Sequence, residues 1–331
     1  MIYRKVQEVG KGTLLVSLPK DWVKKYEVKK GDILVLEVDQ LGNIILSLGK
    51  KKVSQSLSII DCKQKGLKTI LGEVVGAYLL GYNRIIVSNL PQIKSSERES
   101  VRSFLSKLAG LEIVDEGKDS ITAEFVTDIT LLNPNKILGR MSLLTKTMFI
   151  DSISSLIKFD METIENVIKL DDEVDRLYFL VVRLMRSAIQ SPEIMRKFNL
   201  SAIECLDHRL YASLIESIGD YACIIAANIK NGMQPLDDKL VEEFAEIKNF
   251  FESMFEIAYR AYQTKDTTLK ENILTVSDDV ERKVDLIRTL IISRPLNELS
   301  KIFSILSAIN FTRKALVDIT DLTTPSTKTI A

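Results

Sequence analysis

Between residues 135 and 323 the chain has glycine only at 139, 219 and 232, and proline only at 192, 235 and 295. So long a stretch with so few helix breakers can hardly be anything but helical. Breaks near Lys158-Phe159-Asp160, Ser191-Pro192, Asn231-Gly232, Lys265-Asp266 and Ser293-Arg294-Pro295 divide it into six helices, each roughly 20–30 residues long. The zone also repeats itself. Thr147-Met148-Phe149 before Asp160 returns as Ser253-Met254-Phe255 before Asp266. Asp171-Asp172-Glu173-Val174-Asp175 returns as Glu281-Arg282-Lys283-Val284-Asp285. The two offsets differ by about one helical turn, so the same helix face is kept. The expectation is an all-α domain over 135–323 built from two three-helix repeats, about 135–232 and 236–323.

Residues 1–52 read differently. Arg4 to Val9 alternates, Gly10-Lys11-Gly12 marks a turn, and Thr13 to Leu18 is apolar and β-branched. Pro19 opens a short helical segment, Lys20 to Tyr26. Ile33–Val38 and Asn43–Leu48 flank Asp39-Gln40-Leu41-Gly42 as a hairpin. A segment below ~60 residues has too much surface to bury a core alone, so it is expected to pair with a second chain or pack on something else. Trp22 is expected in that core. These residues hold 11 Lys/Arg and 6 Asp/Glu, whereas residues 53–331 hold 34 and 39. A basic head on an acidic body points to an anionic partner or to a solvated surface.

Residues 53–132 read β-α-β-α-β-β: strands at 57–60 and 84–87, helices at 67–80 and from Ser95 as N-cap to Leu108, then two strands around Glu116-Gly117-Lys118-Asp119. This predicts a small α/β domain whose role the sequence does not state. The chain is therefore expected to be multidomain: an N-terminal all-β part, a small α/β middle part and a helical C-terminal part.

The head resembles the swapped-hairpin AbrB/SpoVT family. Gly10-Lys11-Gly12, Ser17-Leu18-Pro19-Lys20, Lys29-Lys30-Gly31-Asp32 and the hairpin Asp39 to Leu48 carry the likeness. The resemblance implies an interleaved dimeric barrel that grips double-stranded DNA, with Arg4, Lys5, Lys11, Lys20, Lys24 and Lys25 as the contacting residues. Lysine supplies salt-dependent phosphate affinity, but it lacks the bidentate fork by which arginine reads guanine. A purely dimerising barrel with lysines for solubility is the competing reading.

In the helical zone, Asp171 and Asp175 are four residues apart and so share one helix face, with Asp172 beside them; Glu216 and Asp220 form a second such pair. Like charges at this spacing repel unless something neutralises them. Two acidic pairs on adjacent helices suit an oxygen-preferring cation; a solvated face paired with Arg176, Arg183, Lys283 and Arg288 is the alternative. Gly219, inside a helix, suggests close approach of a helix or ligand. His208 is the one histidine, which excludes an imidazole-rich zinc or di-iron site, and it is expected at the surface. Leu170 to Leu177, with Glu216-x-x-Gly219-Asp220, is similar to the PhoU family. That resemblance implies phosphate-dependent signalling and metal binding through Asp171, Asp172, Asp175, Glu216 and Asp220. Glu281 and Asp285 form a weaker second site, because Thr312 and Leu316 stand where Glu216 and Asp220 would recur. The ion would be divalent or trivalent: Fe, Mn, Mg or Zn.

Cys62, Cys205 and Cys223 form no C-x-x-C pair and are expected as buried inert thiols. No Walker or Gly-x-Gly-x-x-Gly motif appears, and no triad can be built around one histidine. The expectation is a non-enzymatic regulator, cytoplasmic and without membrane insertion. A carboxylate-bound metal that hydrolyses a phosphate compound is the remaining chemical route. The leading reading is a DNA-binding transcriptional regulator of phosphate homeostasis with a metal-sensing helical domain. The alternative is a negative regulator of a phosphate ABC transporter or signalling protein, acting by protein contact, with the barrel serving only to form the homodimer.

Overall fold

The computed structural model describes residues 2–10, 12–38, 42–48 and 56–323. The chain divides into two compact units, Met1–Gln55 and Ser56–Ala331.

In the first unit, β1 (Gln7–Val9) pairs antiparallel with β2 (Thr13–Leu15). Gly10 and Gly12 turn the chain at φ +69° and +96°, angles that side-chain-bearing residues rarely adopt. After Pro19 comes α1 (Lys20–Lys25), and then β3 (Leu34–Val38) pairs antiparallel with β4 (Ile44–Leu48), Leu36 opposite Leu46. The two hairpins remain separate two-stranded sheets. No described residue of this unit is buried. Leu14 and Val38 are 67% and 73% exposed, although each is of a type that strands normally hide. Trp22 is accordingly half-buried, tilted against Tyr26 at 5.4 Å, rather than in a core.

In the second unit, the α/β part runs β5 (Leu57–Asp61), α2 (Leu67–Leu79), β6 (Arg84–Ser88), α3 (Ser95–Lys107), β7 (Leu111–Glu116) and β8 (Ser120–Phe125). The sheet order is β5-β6-β8-β7, with β5 and β6 parallel and the other pairs antiparallel. Ile60, Ile85, Val87, Ile121 and Ala123 form a core with Val74 and Tyr78 of α2 and Val101 and Leu105 of α3. The cap of α3 is Lys94 rather than Ser95: Glu97 reaches back and accepts the Lys94 amide at 2.9 Å. Gly110 has φ +76°, and a Cβ there would lie 2.7 Å from the Phe125 ring, so glycine is required.

The helical part contains α4 (Pro134–Lys158), α5 (Met161–Gln190), α6 (Pro192–Phe198), α7 (Ala202–Lys230), α8 (Asp238–Thr264), α9 (Leu269–Ile291) and α10 (Leu296–Asp321). Helices α4, α5 and α7 pack pairwise, as do α8, α9 and α10; α4 against α8 and α7 against α10 join the two sets. The recurring Met-Phe pairs meet at that junction, where Phe149 lies 4.6 Å from Phe251 and 5.9 Å from Phe255. The short α6 is additional to the six helices expected. Pro192 restarts a helix, Asn199 ends it at φ +53°, and Ser201 with Glu204 forms the capping box of α7. Helix α7 has the length and apolarity of a membrane span, yet it is sandwiched by α4, α5 and α10.

The sequence reading separates 53–132 from 135–323, but the two share one compact unit with two cores, and Phe125 packs on both. Arg183 of α5 makes the weld. Its side chain is fully buried, and Nη1 donates to the Tyr78 carbonyl at 2.6 Å and the Tyr82 carbonyl at 3.1 Å. Nη2 reaches the Gly81 carbonyl and Asn83 Oδ1. The guanidinium also lies 3.9 Å from the centre of the Phe125 ring. Arg183 thus takes up carbonyls at the end of α2, where the helix dipole is negative. Among the described residues it pairs with no acid, so it does not serve the ion-paired surface of the alternative reading. Removing it orphans several buried carbonyls, so Arg183→Met should cost on the order of 2–3 kcal/mol. Hydrogen exchange should show protection lost first in α2 and β6 while α8 to α10 stay protected.

Candidate functional site

Asp171 and Asp175 lie one turn apart on α5, and Glu216 and Asp220 one turn apart on α7, the helix packed along α5. Their carboxyls sense one another. Burial, then the charges of Asp171, Asp220 and Asp172, pushes Asp175 up to about 6. Burial, then Asp220, Asp175 and Asp171, pushes Glu216 up to about 7, against a hydrogen bond from Ser217. Asp171 is raised by burial and by Asp220, and Asp220 by desolvation. No lysine or arginine among the described residues forms an ion pair with any of the four.

The cations expected to neutralise this face are engaged elsewhere. Arg176 pairs with Glu173, Arg183 caps α2, and Lys283 bridges Glu243 and Glu246 at 2.8 and 2.7 Å. Asp172 does not join the four: it is exposed and pairs with Lys107 of α3 at 2.8 Å. Gly219 does not mark an obligatory close approach, because a Cβ there would meet Asp171 Oδ1 at an ordinary 3.6 Å. The sequence reading missed two members of the site. Lys107 is one. The other is Cys223, half-buried and close enough to Asp171 for the two to act on each other electrostatically; its position three residues after Asp220 places it on the same face. Burial, aided by Asp171, pushes this thiol up to about 12, so it stays protonated.

The donor set is made of hard carboxylates, Asp171, Asp175 and Glu216 half-buried and Asp220 exposed, with the charge of Lys107 acting on Asp175 from outside, which fits a hard cation better than zinc. Among the described residues no three His, Cys, Asp or Glu side chains already stand in metal-ligating geometry.

The second three-helix set has a different arrangement. Glu281 and Asp285 are exposed on α9. Asp285 pairs with Arg288 at 2.8 Å, and Glu281 with the buried Arg313 at 3.4 Å. Arg313, which also donates to Ser277 Oγ at 2.7 Å, follows Thr312, the position matching Glu216. A guanidinium next to the matching position therefore pairs with Glu281, whose counterpart in the first set, Asp171, has no such partner among the described residues.

His208 is buried, not at the surface. Its Nε2 is 2.9 Å from Asn135 Oδ1 and its Nδ1 is 2.8 Å from the Tyr262 hydroxyl. Burial pushes it down to about 4, leaving a neutral ring. Of the basic candidates in the first unit, Arg4, Lys5, Lys20, Lys24 and Lys25 are exposed, the last three on or opening α1. Lys11 lies outside the described residues.

Residues 138–229 match the model of the PhoU domain family, a span running from α4 to the end of α7. Residues 9–56 match the family described as antidote-toxin recognition MazE, bacterial antitoxin. No curated protein matches the chain. Among solved structures, PhoU from Pseudomonas aeruginosa is similar at 18% identity and a TM-score of 0.49, covering 57% of this chain and 93% of that one.

Because Asp175 and Glu216 are raised in the folded state, they stabilise the metal-free fold most below the ordinary carboxylate range. That contribution is lost as pH rises through about 6 and 7. Melting temperature without metal should fall between pH 5 and about 7.5, and Asp175→Asn with Glu216→Gln should flatten the profile. An unchanged slope in the double variant would contradict the account.

Proposed function

We propose, for a chain whose central helices match the PhoU domain and whose head matches MazE, that this is a cytoplasmic, non-enzymatic regulator of phosphate homeostasis. In this reading it binds double-stranded DNA through the head and a metal ion through the first three-helix set. The observation that carries the reading is the unneutralised cluster Asp171, Asp175, Glu216 and Asp220, which lies wholly within the PhoU-matching span. The two sets of three long helices then read as copies of one unit, the second keeping Glu281 and Asp285 in ion pairs with Arg313 and Arg288 and having Thr312 and Leu316 in place of the other two acids.

A bound cation supplies positive charge that relieves the repulsion among the four carboxylates. The chain's part is to hold them together: α5 and α7 keep the pairs one turn apart, and Lys107 draws Asp172 away. A cation can shift the protein's state only through different affinity for two arrangements of these helices. The first unit supports the other half of the proposal. With none of its described residues buried, it would gain a core by interleaving with a second copy, which would bring two sets of Lys20, Lys24 and Lys25 onto one surface. The same apolar exposure favours the second reading as well, in which the head only dimerises and regulation passes by contact with a phosphate transporter or signalling protein.

Two measurements test this. In salt-dependent anisotropy with duplex DNA, replacing Lys20, Lys24 and Lys25 by alanine should lower the log–log salt slope by about 3 per head, near 0.9 for each phosphate that a lysine no longer neutralises. If wild type binds no better than this variant, the contact-only reading stands. In calorimetric titration with manganese, Asp175→Asn with Asp220→Asn should abolish binding and Glu281→Gln with Asp285→Asn should leave it intact. Equal loss in both would remove the metal assignment.

A further inference from the structure

A cavity of about 530 Å³ opens where the two three-helix sets meet, between α4, α7, α8 and α10. It shares no residue with the acid cluster. Leu143, Ile215, Phe255 and Leu316 give it an apolar wall. Its size falls in the range of small-molecule sites, on the order of 300–1,000 Å³.

Its polar side is broad and includes Tyr259, Gln263 and Thr264. Tyr211 and Ser142 line it and are both buried, their oxygens 2.7 Å apart. Ser142 Oγ donates to the Leu138 carbonyl at 2.8 Å. Lys146 and Arg260 also line the cavity, against one carboxylate, Glu256. None of these three is ion-paired among the described residues. Two cations against one acid leave a single net positive charge beside an apolar wall. A dianion would be under-compensated there, a cation repelled, and a neutral apolar molecule would leave the two cations unused.

We propose that this cavity binds an amphipathic monoanion, its anionic head held by Lys146 and Arg260 and its apolar body seated on Leu143, Ile215, Phe255 and Leu316. Such a ligand touches α4 and α7 of one set and α8 and α10 of the other. It would therefore favour whichever arrangement of the two sets closes on it. The proposal does not depend on the metal or DNA assignments.

Isothermal titration of the full chain with octanoate, octylammonium and octanol, all below micelle-forming concentration, tests it. Octanoate should bind saturably at one site per chain, and octylammonium not at all. Octanol should bind at least tenfold more weakly. Lys146→Ala with Arg260→Ala should weaken octanoate at least tenfold. Leu143→Trp, a change at a 65% exposed position, should weaken it while leaving the melting transition in place. Octylammonium binding as well as octanoate, undiminished octanoate binding in both variants, or no saturable binding by wild type would each overturn the proposal.

Discussion

A fully buried guanidinium at the end of a neighbouring helix holds the larger unit together. Arg183 leaves α5, crosses into the α/β part and gathers carbonyls of Tyr78, Gly81 and Tyr82 where α2 runs out of amide partners. Burial pulls its pKa down to about 10, but the group stays charged. A buried charge is costly unless hydrogen bonds replace its water. Here helix-end carbonyls and the Phe125 ring do so in place of a carboxylate. Because α5 also carries Asp171 and Asp175, the staple fixes the α/β part to the helix that bears the acids. Lys107 of α3 then comes within reach of Asp172.

The acid cluster is where local electrostatics and global packing disagree. On two packed helices, burial and neighbouring carboxylates raise the proton affinity of Asp171, Asp175 and Glu216, and burial raises that of Asp220, while no lysine or arginine among the described residues is ion-paired to them. Conflicts of this kind tend to mark sites that await something the chain does not itself provide. In the second set the same helix positions are resolved internally, because Arg313 and Arg288 take up Glu281 and Asp285. One architecture thus contains a tense copy and a relaxed copy.

Much of this was legible in the sequence, because it is local. Pro192, the Asn231-Gly232 pair and the αL turn at Phe159 end helices by backbone chemistry confined to a few residues. The spacings that place Asp171 with Asp175 and Glu216 with Asp220 are also local. What stayed hidden depends on distant partners. Arg183 resembles any exposed helical arginine until Tyr78 and Phe125 surround it. His208 looks like a surface residue until Asn135 and Tyr262 arrive from 73 and 54 residues away. The cavity exists only because Lys146 and Arg260 belong to helices of different sets, and no window of sequence contains both. Trp22 errs in the other direction: a residue suited to a core lies in a unit that by itself has none.

The contrast between the two three-helix sets also bears on how such a molecule counts. If the acids of the first set take a hard cation, as proposed, each chain offers it a single seat, because Thr312 and Leu316 stand where a second pair of acids would recur. Occupancy of one seat follows a simple hyperbola with concentration, without a threshold. On that reading, any sharper, switch-like response would have to arise between chains and not within one helical body.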